Sequence, residues 1–221
     1  MNPNHFFPLL LFIGFSSVLQ GQVLFTPAEL GAANTAASAS YMSEEEKKVV
    51  QYMNLARMDG EKFYLSFIPG FLEYYNSAFG DKILPNNNYL LSLKADLKKV
   101  KGLVVLQPFK SLYLSATFHA QDMGKLGKTG HNSSNGTDCG KRIKRFYPNV
   151  SCWSENCSYG MGSAINIVCQ LLIDNGVSSL GHRTNILKSS QRLVGVSIAP
   201  HKVYNSNCVM DFSCDQLPVG N

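Results

Sequence analysis

Apolar positions recur at helical spacing in several stretches of the chain and alternate near its end. Ser43 followed by Glu46 forms a capping box, and Val49, Val50, Met53 and Ala56 then share one face, which predicts a first helix running to about Met58. Asp59-Gly60 ends it, and FYLSFIPGFLEYY reads as one or two short aromatic helices around Pro69-Gly70. Leu112, Ala116, Ala120 and Met123 predict a helix that stops near Gly124. Ile165, Val168, Leu171 and Leu172 predict another from about Ser163 to Asn175-Gly176. Val194, Val196 and Ile198 alternate, and NCVMDFS follows across a turn, so the last third offers two antiparallel strands.

Between these elements the pattern weakens. Residues 76–110 contain a Pro85-Asn88 turn and a short helical stretch in LSLKADLKKVKGL, and read as an insertion or a lid. Before the first helix, AELGAANTAASAS is small and polar without sustained periodicity, a flexible arm over 22–42. The chain opens with an apolar stretch from Phe6 to Phe15 followed by small and polar residues, which reads as a signal peptide over 1–21. It is short for a bilayer span, so no stable membrane span is expected after cleavage. The domain is expected over 43–214, with a tail at 215–221.

Composition narrows the function classes. With 45% hydrophobic and 16% charged residues among 221, the chain can bury one sizeable core. Its net charge of +5 is spread along the sequence, and the tightest group, KRIKR at 141–145, reads as a solvated turn, so a nucleic-acid partner is not expected. Six cysteines fit an oxidising compartment. The working pairing joins Cys208 to Cys214, with the other four around the central motifs. No C-x2-C pair supports a structural zinc cluster, and no phosphate-cradling loop, HExxH or GxSxG motif is present. Asn132, Asn135, Asn149 and Asn156 head N-x-S/T triplets, which matter only in a chain that passes an endoplasmic reticulum.

The order of short motifs carries more. A helix with HAQDM (119–123) is followed by Gly130-His131, Glu155-Asn156, a helix ending in LLIDNG, Gly181-His182-Arg183, then LVGVSI and VMDF. From about Ser43 to Ser213 this series resembles the CAP (SCP-like) superfamily, which includes cysteine-rich secretory proteins, antigen 5 and plant pathogenesis-related proteins. GHR-x-NIL after LLIDNG is similar to the bacterial branch. The resemblance implies an α/β fold, a three-layer α-β-α sandwich with a central cleft lined by two histidines and two acids. Carried over residue by residue, these are His131, Glu155 and His182, with Asp174 as the fourth. Many members carry Glu one turn earlier, where this chain has Gln170 and Leu171. Asn156 and Arg183 would support the cleft, Arg183 by bracing Asp211 or Glu155. His119 reads as structural.

Imidazole and carboxylate are a ligand set for zinc or another divalent ion, with His131 and His182 as the metal ligands; without metal, the same cluster is pH-sensitive. Each residue also has a plainer reading: His131 as a surface loop histidine, Glu155 as a helix cap or an ion-pair partner, His182 as a loop-fixing hydrogen-bond donor, and Asp174 as a turn former. Three functions stay open. The first is a secreted or extracellular (in a bacterium also periplasmic) non-enzymatic binding module for metal, lipid, sterol or an extracellular protein, with the aromatic run 63–75 as an apolar groove. The second is a metal-assisted hydrolase with Glu155 as base. The third is a surface interaction protein with a vestigial cleft.

Overall fold

The computed structural model describes residues 24–217, so the predicted leader lies outside the described residues. In chain order the elements are α1 (Pro27–Ala33), α2 (Glu44–Met58), α3 (Gly60–Ala78), α4 (Asn88–Leu97), β1 (Gln107–Pro108), α5 (Lys110–Leu126), α6 (Cys139–Phe146), β2 (Ser154–Tyr159), α7 (Ala164–Ile173), α8 (Gly181–Leu187), β3 (Leu193–His201) and β4 (Asn205–Ser213). The four strands form one sheet in the order β1-β3-β4-β2. β1 runs parallel to β3, whereas β3, β4 and β2 are antiparallel. Helices cover both faces, which gives the expected α-β-α layering.

Side-chain alternation along the strands assigns each layer its core. On β4, Cys208, Met210 and Phe212 point into the large cluster with Val49, Val50 and Met53 of α2 and Ile167, Val168, Leu171 and Leu172 of α7. Val209, one step out of phase, meets Ala116 and Ala120 of α5. Helix α5 lies close on the sheet because glycine stands at both contact points. A Cβ on Gly195 would overlap the backbone of Leu112 and Tyr113, and one on Gly124 would overlap the Pro200 carbonyl.

Several expectations are corrected. The stretch read as a flexible arm is packed: Thr26 and Glu29 form a capping box for α1, and Phe25, Ala33, Ala36, Ala39 and Met42 are buried. Its alanines fit tight gaps without an obvious period, and Asn54 donates to the Ala33 carbonyl at 3.0 Å. The aromatic run lies in one continuous helix, α3, through Pro69; that residue is exposed, so the carbonyl it leaves without a donor faces water. Helix α4 is no lid, since Leu90, Leu93 and Leu97 are buried and Arg183 grips its backbone and Asp96. KRIKR is helical within α6, with Arg142 and Ile143 inside. Cys214 pairs with Cys152, not Cys208, among the described residues. Extended chain would set Cys208 and Cys214 about 20 Å apart, far beyond disulfide reach. Cys139, Cys157, Cys169 and Cys208 are free thiols. Among the described residues no helix is long and apolar enough to cross a membrane.

Candidate functional site

Strand β2, at the sheet edge, organises the candidate site by its two faces. Glu155, Cys157 and Tyr159 point toward the α5 and α6 layer, whereas Asn156 and Ser158 point toward α7 and α8. Glu155 is only 2% exposed, and its Oε1 accepts from His131 Nδ1 at 2.8 Å. Its Oε2 accepts from Arg142, whose side chain is equally buried. Burial raises the Glu155 pKa, but the His131 hydrogen bond and the Arg142 charge outweigh it and leave the carboxyl below its ordinary value. The same hydrogen bond raises the pKa of His131, whose ring is about half exposed.

The loop that carries His131 is pinned. Arg142 donates to the His131 carbonyl at 2.9 Å, the Tyr159 hydroxyl accepts from Gly130 N at 3.0 Å, and His119 Nε2 lies 2.9 Å from the Gly130 carbonyl. This is not a freely solvated histidine. His119 is fully buried, and desolvation lowers its pKa.

On the other side of β2, Asp174 caps α7 in the left-handed conformation at φ 59°. Its carboxylate accepts from His182 Nδ1 at 2.7 Å, and from the backbone N–H groups of His182 and Arg183 at 3.0 and 3.2 Å. Asp174 is thus a turn former and the anchor of His182 at once. Asn156 Nδ2 donates to the His182 carbonyl at 3.0 Å, which ties α8 to β2. Asn156 itself is fully buried, which closes its triplet to a glycan, while Asn132, Asn135 and Asn149 are exposed. Arg183 braces neither Asp211 nor Glu155; it donates to the carbonyls of Leu172, Ile173 and Tyr89, and to Ser92 and Asp96. The expected partner role for Arg183 belongs to Arg142.

A cavity of about 190 Å³ runs beside this edge, lined among others by Phe71, Tyr75, Cys157, Tyr159, Asp174 and His182. His131 stands outside that lining but meets it at Cys157, whose Sγ is 3.8 Å from His131 Nδ1. Two clusters complete the picture. Asp211 of β4 pairs in register with Glu155, is fully buried, and has no hydrogen-bond partner for either oxygen among the described residues. Burial first, and Glu155 second, push its pKa well up. Among the described residues, ligand-type atoms converge within 4.8 Å in His119–Glu155–Cys157 and in Cys139–Glu155–Asp211, and neither group includes His131 or His182.

The sequence pattern missed Arg142, Cys157, Tyr159 and Asp211. Alternation from Glu155 through Cys157 to Tyr159 was the available signal for the last β2 pair, whereas Arg142 is hidden inside a charge run.

The family model for the cysteine-rich secretory protein family, CAP, matches residues 91–212, more than half of the chain. The chain belongs to the CAP family. An extracellular protein containing an SCP domain from Bacillus anthracis is similar at 22% identity and a TM-score of 0.42, over 50% of this CAP chain and 34% of that one. This chain therefore spans about a third of that protein. An outer surface protein from Borrelia burgdorferi is similar at 18% identity and a TM-score of 0.42, over 49% and 76% of the two chains. No curated protein matches. The family motifs fall in this CAP domain on a loop, the edge strand β2 and the N-terminal end of α8.

Proposed function

We propose that this CAP protein is a secreted, non-enzymatic binding module whose cleft takes a divalent metal ion such as zinc through His131 and His182. One observation carries the reading: each imidazole gives its Nδ1 to a buried carboxylate, Glu155 or Asp174. Metal-binding histidines are held in this way, because a carboxylate on one ring nitrogen fixes the tautomer and leaves the Nε2 lone pair for the ion. The donor set therefore fits a divalent metal, which would act there as a Lewis acid and an anchor for anionic groups. Glu155 and Asp174 orient the rings rather than face the opening, and Asn156 and Arg183 hold the α8 end in place.

The apolar part of the cavity supports a small hydrophobic ligand beside His182, since Phe71, Tyr75 and Ile83 line it. At about 190 Å³ it suits an acyl segment better than a whole sterol, which needs several hundred Å³. The hydrolase alternative gains little. Glu155 is ion-paired and held below its usual pKa, so it is a weak base. Secretion, into the periplasm or beyond in a bacterium, rests on the leader-like 1–21 and on the Cys152–Cys214 disulfide.

Zinc calorimetry on the purified chain with its disulfide intact tests the reading. A binding event lost in both His131→Ala and His182→Ala, with unchanged circular dichroism, is expected. Zinc bound with the stoichiometry and affinity of the native chain in both variants would overturn the cleft as the metal site and leave the interaction protein with a vestigial cleft.

A further inference from the structure

We propose a second, buried metal site next to His131 with a ligand set of its own, formed by His119, Glu155 and Cys157 and suited to zinc or a similarly borderline-soft divalent ion. A ring nitrogen of His119, a Glu155 carboxylate oxygen and Cys157 Sγ lie within 4.8 Å of one another, brought together where α5 crosses the edge strand β2. His119 supplies an independent sign. It is fully buried, its Nε2 is bonded to the Gly130 carbonyl at 2.9 Å, and its Nδ1 has no partner among the described residues. A carbonyl can only accept, so Nε2 carries the proton and Nδ1 holds a bare lone pair inside the protein. A buried acceptor without a partner is unfavourable, and a cation removes the penalty. A histidine anchored through one nitrogen on a backbone carbonyl is also in the state that metal ligands adopt.

Nitrogen, oxygen and sulfur donors together favour zinc over magnesium or calcium, which take oxygen alone. Arg142 occupies one lone pair of Glu155 Oε2 and His131 one of Oε1, which leaves each oxygen a further lone pair. Coordination displaces the Cys157 thiol proton, so the dication and the thiol give a metal thiolate and one released proton. The ion has a way in, because Cys157 also lines the cavity beside His182. A water arriving by that route completes a fourfold set. Arg142 opposes the incoming charge, and the thiolate together with Glu155 offsets it.

Cobalt(II) added to the full chain with its Cys152–Cys214 disulfide intact reads this site by colour, because thiolate-to-cobalt charge transfer absorbs in the near ultraviolet and the cleft histidines give none. The expected result is a saturable band in the native protein and in His182→Ala, absent in the near-isosteric Cys157→Ser, and reached only at roughly tenfold or more higher cobalt in His119→Gln. No band in the native protein, a band unchanged in Cys157→Ser, or a band lost in His182→Ala would each overturn the proposal. Loss of zinc binding at the cleft alone leaves the band in place, so the two readings fail separately. Should His119→Gln not fold, Cys157→Ser decides the matter.

Discussion

Glu155 and Asp211 stand directly opposite one another on the antiparallel neighbours β2 and β4. Two ionised carboxylates in that register repel, and only Glu155 has a cation, Arg142, bonded to it. Asp211 is faced by Glu155 from β2, by Cys139 and Arg142 from α6 and by Ser115 from α5, and burial beside Glu155 favours its protonated form. Its folded pKa is well above 3.8. The folded state thus binds a proton that the unfolded state releases, and the stability this brings is present below about pH 4 and is lost as pH rises through the folded value. Asp211→Asn removes the titrating group with little change in shape. Its melting temperature should match the native protein near pH 4 and exceed it increasingly toward pH 8. A difference that does not change with pH would show that Asp211 holds no extra proton.

Arg142 and Glu155 form an ion pair whose side chains are 1% and 2% exposed. Removing one partner leaves the other charge buried, at a cost of about 3–5 kcal/mol. Arg142→Met should lose this much in urea unfolding, and Arg142→Met with Glu155→Gln should recover part of it, since no lone charge then remains. Arg142 also holds the His131 carbonyl, so recovery stays incomplete. Equal stability of the single and double variants would mean that charge burial is not the source of the loss.

The elements that could be read in the sequence are those whose apolar period is long and regular. Helices α2, α5 and α7 and the strands β3 and β4 all fall where periodicity placed them. Strand β2 gave no such signal because its buried positions are Glu155, Asn156, Cys157 and Ser158, polar or ambiguous residues satisfied by partners distant in sequence. Helix α6 failed for a related reason. Its inward Arg142 looks like its outward neighbours Lys141 and Lys144 until Glu155 is placed beside it. At the candidate site, motif order named His131, Glu155, Asp174 and His182, and the geometry shows them as two pairs, in each of which a buried carboxylate holds one histidine. Which arginine served Glu155 depended on a tertiary contact that spacing does not encode.

His131 should titrate above the ordinary histidine value because its Nδ1 is bonded to Glu155. The proton is retained on folding, so this contribution to stability is complete below about pH 6.5 and fades as pH rises through the raised value; exposure of the ring keeps it small. Glu155→Gln should bring the His131 titration, followed by NMR of the ring carbons, down toward the ordinary range. An unchanged midpoint would place the cause elsewhere.

Asp174 combines two tasks that substitution can separate. Its backbone is left-handed, which an L residue adopts at some cost, while its carboxylate accepts three bonds from His182 and Arg183. Asp174→Gly relieves the backbone and deletes the carboxylate; Asp174→Asn tolerates the conformation and keeps one acceptor oxygen. If the carboxylate matters chiefly as the anchor of His182, Asp174→Gly should cost about 1–3 kcal/mol in urea unfolding despite the easier backbone, and Asp174→Asn less. Cleft zinc affinity should fall roughly 10- to 100-fold in Asp174→Gly, because the freed imidazole no longer presents Nε2 in one orientation. A glycine variant as stable as the native chain, with unaltered zinc affinity, would reduce Asp174 to a turn residue and leave His182 to be oriented by the α8 backbone alone.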